Sequence, residues 1–138
     1  MINLIIGKKG SGKTKKLIEL SNNLLKKTPG NVVVIVDDDK INFDLNHEVR
    51  LVNIKNYSVT NFCGLYGFIC GICAENYDVA EILIDSIFHS DEFSARDLIS
   101  FIEKLNLVCQ KSKINVTLAL SAELADLPSE IMNLVNIK

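Results

Sequence analysis

The densest chemistry in the chain lies in eight consecutive residues, Gly7-Lys8-Lys9-Gly10-Ser11-Gly12-Lys13-Thr14. They match the spacing G-x-x-x-x-G-K-[ST] at every fixed position, which composition alone would produce in well under ~1% of chains this long. A phosphate group needs several donors converging on one concave site. Backbone N–H groups supply them only where the chain curls tightly around the anion, and Gly7, Gly10 and Gly12 permit that curl and the close approach of backbone to ligand. A helix starting near Lys13 directs its unpaired N–H groups and positive dipole end at the same anion. Lys13 is then placed to bridge two phosphates of a polyphosphate, and the Thr14 hydroxyl to hold a divalent cation shared with them.

Carboxylates supply the other half of such a site. Ile82-Leu83-Ile84-Asp85 is an apolar run closed by an acid, as any buried parallel strand can be. Asp37-Asp38-Asp39 closes the run Val32–Val36, and reads either as a solvated acidic turn or as a base and metal-ordering group at the edge where open α/β sheets bind ligands. Glu81 shares a strand face with Asp85 but sits about 13 Å from it at ~3.3 Å per residue. Asp91 and Glu92 follow on a loop from which they could approach the site. Ser121 is a polar residue directly after the run Ile114–Leu120. Cys70 and Cys73 have C-x-x-C spacing with Cys63 nearby, but there is no second pair, and the histidines are only His47 and His89. Their Phe, Leu and Ile surroundings read as core rather than metal site.

The elements that must position these groups alternate. Ile2–Ile6 is a strand, and Thr14–Lys27 a helix with Leu17, Leu20 and Leu24 on one face, broken by Thr28-Pro29-Gly30. Val32–Val36, unbroken and β-branched, marks a strand buried on both faces of a parallel sheet. Val49–Ile54 reads as a more exposed strand. Thr60–Glu75 reads as a helix whose Gly64, Gly67 and Gly71 allow close packing on the sheet or, as the minority alternative, on another copy. Val79–Ile84 is a strand. Ser94 caps a helix running to about Lys111, Ile114–Leu120 is the next strand, and Leu134–Ile137 a last edge strand. This order predicts an α/β three-layer sandwich: a mostly parallel sheet of about five strands with helices on both faces, joined by right-handed crossovers.

In its first strand-loop-helix unit and the later strand ending at Asp85, the sequence resembles the P-loop NTPase superfamily with a RecA-like core. Residues 7–14 resemble its Walker A loop, and Ile82–Asp85 its Walker B strand. The resemblance implies ATP and Mg²⁺ as ligands, with Gly7, Lys8, Lys9, Gly10, Ser11, Gly12, Lys13 and Thr14 around the phosphates. Thr14 and Asp85 would hold the metal, and Lys13 and Asp85 would serve catalysis. Many ATP-hydrolysing members carry a Glu directly after the Walker B Asp; this chain has Ser86, which argues for slow turnover. The loop is similar to that of the pilus-retraction and DNA-translocating ATPases, and the wider spacing to the thymidine kinase core, whose zinc-binding cysteine pairs and closing lasso the chain lacks.

The chain's 138 residues match one domain, here a single nucleotide-binding domain over 1–138, and 48% hydrophobic residues exclude disorder. The formal net charge is −2, yet residues 1–27 carry seven lysines against Glu19, a net of +6 that leaves −8 on the remaining 111. A basic pole on an acidic body fits a small polyanion better than nucleic acid, which is not indicated. The N-terminus lacks a signal-peptide pattern, and the uncharged stretch Val59–Ala74 is too short to span a bilayer, so the expected setting is cytoplasmic, with reduced thiols and no membrane insertion. A protein partner or homo-oligomer stays open. No segment supplies the guanine-reading N-K-x-D pattern, leaving ATP as the expected base. The functional expectation is a weak or partner-activated ATPase, a nucleotide-dependent switch. One alternative is a small-molecule kinase with a base among Asp37–Asp39, disfavoured by having only Arg50 and Arg96 for a lid; another is a module that binds ATP without hydrolysing it.

Overall fold

The computed structural model describes residues 1–38, 44–88 and 92–138. Strands β1 (Ile2–Gly7), β2 (Asn31–Val36), β3 (Arg50–Asn53), β4 (Val79–Ile84), β5 (Asn115–Ser121) and β6 (Val135–Ile137) form one parallel sheet in the order β3-β2-β4-β5-β1-β6. The expected sheet of about five strands therefore has six, because both short edge segments pair. Helix α1 (Lys13–Lys27) follows β1, α2 (Phe62–Glu75) precedes β4, and α3 (Ala95–Ser112) joins β4 to β5. Among the described residues the connections include three short 3₁₀ turns, Ile54–Tyr57, Leu124–Asp126 and Ser129–Ile131.

Side-chain alternation along the strands sorts the core into two layers. Val32, Val34, Val36, Leu83, Ala119 and Ile5 point to one face and meet Leu17 and Ile18 of α1. Their alternates, among them Val33, Ile35, Ile82, Ile84, Val116 and Leu118, point to the other and meet Phe62, Leu65 and Ile69 of α2 and Leu98, Ile102 and Leu105 of α3. Burial of every residue from Val32 to Val36 follows from this double cover. Each such aliphatic side chain contributes about 1.5–3 kcal/mol on leaving water, so the central strands hold the frame on which the loops are mounted.

Helix ends are marked by the residues expected to mark them. The Ser94 hydroxyl accepts from Asp97 N at 3.1 Å while Asp97 Oδ2 accepts from Ser94 N at 3.1 Å, a reciprocal cap. Asn61 Oδ1 accepts from Gly64 N at 2.8 Å and starts α2. The glycines of α2 depart from the expected intramolecular packing. The helix seats Phe62, Leu65, Ile69 and Cys73 on the core, which turns Gly64, Gly67 and Gly71 to the exposed side.

A Cβ added at Gly67 or Gly71 would meet nothing within 4 Å, whereas one at Gly30 would strike Ala80 Cβ at 2.6 Å and the Asp78 carbonyl at 2.7 Å. Gly67→Ala and Gly71→Ala should each stabilise the protein by about 0.5–1 kcal/mol in denaturant unfolding, by relieving backbone entropy. Gly30→Ala should cost about 1–3 kcal/mol through overpacking. Gains and losses of opposite sign at three glycines would verify this arrangement; a loss at Gly67 would contradict the open face.

Candidate functional site

The sheet topology creates the site. β1 sends its helix to one face and β4 to the other, which opens a crevice at the carboxyl edge of the strands across the end of β5. Gly7 ends β1 opposite Ser121 at the end of β5, and Asp85 follows β4, its N–H donating to the Ile35 carbonyl at 2.9 Å. The cleft there has a volume of about 960 Å³ and is walled by Lys9, Gly10, Gly12, Lys13 and Thr14 on one side and by Asp37, Asp38, Asp85, Ser86 and Ser121 on the other.

The loop takes the curl that its glycines permit. Gly10 (φ 82) and Gly12 (φ 88) are left-handed, a conformation that costs an L-residue about 1–2 kcal/mol. Ser11 N donates to the Lys8 carbonyl at 3.0 Å, closing the turn, and Lys16 N donates to the Gly12 carbonyl at 3.1 Å, opening α1. A Cβ on Gly7 would collide with the Ser11 hydroxyl and lie 3.2 Å from Ser11 Cβ. No side chain caps the N-terminus of α1, and no acid stands in its first turn, so its leading N–H groups keep their demand for an anion.

Lys13 is only 7% exposed, and its Nζ donates to the Lys8 carbonyl at 2.9 Å. Burial lowers its pKa while the neighbouring Asp85 carboxylate opposes the shift. A cation stripped of water in this way gains strongly from an incoming anion. Lys8 points outward and pairs with Glu123 at 3.2 Å in an exposed contact worth little; Lys9 lines the cleft. Thr14 Oγ1 lies 3.1 Å from both carboxylate oxygens of Asp85, joining groups 71 residues apart. The pair presents a hydroxyl and an ionisable carboxylate, hard oxygen donors of the type that Mg²⁺ takes.

Asp37, half-buried, and Asp38, exposed, both line this cleft, while Asp39 lies outside the described residues. Burial raises the Asp37 pKa, the Lys55 charge opposes this, and the charges of Asp85 and Asp38 add to it. Ser121 also lines the cleft. So does Ser86, whose Oγ is buried and has no hydrogen-bond partner among the described residues. Asn22 and Asp44 carry no local sequence signal, and local spacing did not single them out. They border the cleft because Asn22 Nδ2 donates to the Asp44 carbonyl at 3.0 Å and Asn46 N donates to Asn22 Oδ1 at 2.9 Å, tying α1 to the chain beyond β2.

Of the other acids near Asp85 in sequence, Glu92 departs from expectation and Glu81 lies away from the site as its spacing predicts. Glu92 lines a different cavity with Phe88 and Phe93; Asp91 and His89 lie outside the described residues. Glu81 is 8% exposed at the opposite end of β4, where its Oε1 accepts from Asn115 Nδ2 at 3.0 Å, so it cannot serve a ligand in the cleft. Burial raises its pKa, against the Asn115 hydrogen bond and the charges of Lys138 and the N-terminus. A raised folded-state pKa is an advantage that is present at acid pH and lost as pH climbs through that value. Glu81→Gln should accordingly raise the melting temperature at pH 7, and thermal scans should show the gain closing as both proteins are taken below the carboxylate range. All four cysteines are free thiols, Cys73 and Cys109 buried and raised in pKa by that burial; among the described residues no cluster of three His, Cys, Asp or Glu is arranged to hold a metal.

Fold and crevice together define a three-layer α/β sandwich of the P-loop-like type. The structure is similar to that of C. elegans PCH-2 over 99% of this chain, with a TM-score of 0.59 and 14% sequence identity. The chain spans 34% of the length of that protein, and at this identity the likeness is one of fold. The sequence matches no family model and no curated protein at a significant level. No helix among the described residues is long and apolar enough to cross a membrane.

Proposed function

We propose that this chain binds ATP with Mg²⁺ in the crevice at the carboxyl edge of the sheet, and acts as a weak or partner-activated ATPase, a nucleotide-dependent switch. The observation that carries the proposal is the meeting of Thr14 and Asp85 at 3.1 Å beside a loop whose glycines are already left-handed. Backbone N–H groups of Gly10, Gly12, Lys13 and Thr14 bind and orient the phosphates, and Lys13 balances their negative charge. Thr14 and Asp85 would hold the metal, which when bound neutralises charge on the terminal phosphates. Ser86 offers a neutral hydroxyl where a carboxylate would polarise an attacking water, so hydrolysis is slow without a partner. A protein partner or a second copy fits this picture as the source of a missing catalytic group. The free thiols fit a reducing compartment such as the cytoplasm.

The placement of Asp37 favours a second reading, phosphoryl transfer to a small-molecule hydroxyl. Its carboxyl faces the cleft and burial raises its pKa, the direction that suits a general base. Calorimetric titration of MgATP, with released phosphate assayed on the same samples, tests the main proposal. Saturable binding with turnover well below the ~10 s⁻¹ typical of enzymes is expected. Absence of binding would overturn it, and binding with no phosphate release over hours would reduce the protein to a non-hydrolysing module.

A further inference from the structure

A second cavity, of about 280 Å³, opens between the first turns of α2 and α3 on the side of the sheet away from α1. Its floor is aromatic. Phe62 stacks on Phe101 with centroids 4.7 Å apart and meets Phe93 edge-on at 4.8 Å. Along one wall Asp97, Ser100, Phe101 and Lys104 form a single stripe of α3, because positions i, i+3, i+4 and i+7 share a helix face. This stripe carries an acid at one end and a base at the other, their backbone positions about 10 Å apart along the helix at 1.5 Å per residue. Tyr66 of α2 forms the facing wall, with Lys104 Nζ 5.8 Å from its ring centroid. Glu92 lines the same cavity and adds a second carboxylate to it.

The charges in this trough are not used up internally. Among the described residues neither Glu92 nor Lys104 makes a salt bridge, and Asp97 spends one oxygen on the Ser94 cap. Aromatic faces bordering two carboxylates favour a cation, and Lys104 over Tyr66 already exhibits that preference within the protein. A cavity of this size lies at the lower limit of ligand pockets and admits a small molecule rather than a peptide chain.

We propose that this cavity binds a small amphipathic primary amine, its ammonium at Glu92 and Asp97 and its aromatic or branched apolar body over Phe93 and Tyr66. The inference stands on this cavity alone and does not depend on nucleotide binding in the crevice. Titration followed by heteronuclear NMR tests it, with phenethylamine, benzyl alcohol and 3-phenylpropionate as probes against the wild type, Glu92→Gln and Lys104→Ala. Both substituted residues are exposed, and a thermal scan verifies that each variant is folded.

Phenethylamine should give saturable shifts at Tyr66, Phe93 and Ser100, and should bind about fivefold more tightly than either the neutral alcohol or the carboxylate. Glu92→Gln should lower its affinity by about fivefold, whereas Lys104→Ala, which removes a competing cation, should leave it equal or tighter. Shifts that do not saturate, equal binding of the alcohol, or an unchanged affinity in Glu92→Gln would each overturn the proposal.

Discussion

Lys13→Ala should weaken MgATP binding roughly 100-fold, a loss of about 2.7 kcal/mol. The size follows from the environment of the side chain. Lys13 is almost wholly buried, among the described residues its ammonium donates to the Lys8 carbonyl alone, and phosphate oxygens would offset its desolvation. Removing it deletes a charge-assisted contact made by a side chain that is itself mostly withdrawn from water. The unliganded protein should lose little stability, because the substitution also removes a desolvated charge. Parallel calorimetry and thermal scans separate the two effects. A large fall in melting temperature together with weaker binding would mean that Lys13 is chiefly structural, and an unchanged affinity would mean that phosphate does not enter the loop.

The second large effect concerns the metal. In the wild type, Mg²⁺ should tighten ATP binding, and Asp85→Asn should abolish that tightening, costing about tenfold or more in affinity with Mg²⁺ present while leaving metal-free binding nearly unchanged. The amide keeps an oxygen to accept from Thr14 Oγ1, so the link across the crevice survives while its charge is lost. Titrations with Mg²⁺ and with a chelator give four affinities from two proteins. If the chelator has no effect on the wild type, the Thr14–Asp85 pair is a structural clasp rather than a metal site.

Much of the frame was legible because it depends on local periodicity. The β-branched run Val32–Val36 announces a strand covered on both faces, and the Ser94–Asp97 pair announces the start of α3. The edge strands were harder. Arg50–Asn53 and Val135–Ile137 are short and half exposed, so their strand character comes from pairing with β2 and β1 rather than from their own pattern. The glycines of α2 misled in a specific way: small residues permit close packing, but which face a helix turns inward is decided by its larger apolar side chains. Phe62, Leu65 and Ile69 settled that, and the glycines were left facing outward.

The loop at residues 7–14 was determined by the sequence itself, since its curl, its left-handed glycines and its helix start are properties of eight contiguous residues. Its counterparts were candidates in the sequence, but only tertiary structure brings them to the loop. Asp85 reaches Thr14, and Asp37 and Ser121 reach the same cleft, because parallel pairing in the order β2-β4-β5-β1 brings four strand ends to one edge. Glu92, seven residues beyond Asp85 in the chain, lies instead on the aromatic cavity between α2 and α3. Nearness in sequence carries the backbone conformation of a motif; only sheet register and helix packing decide which distant side chains share its space.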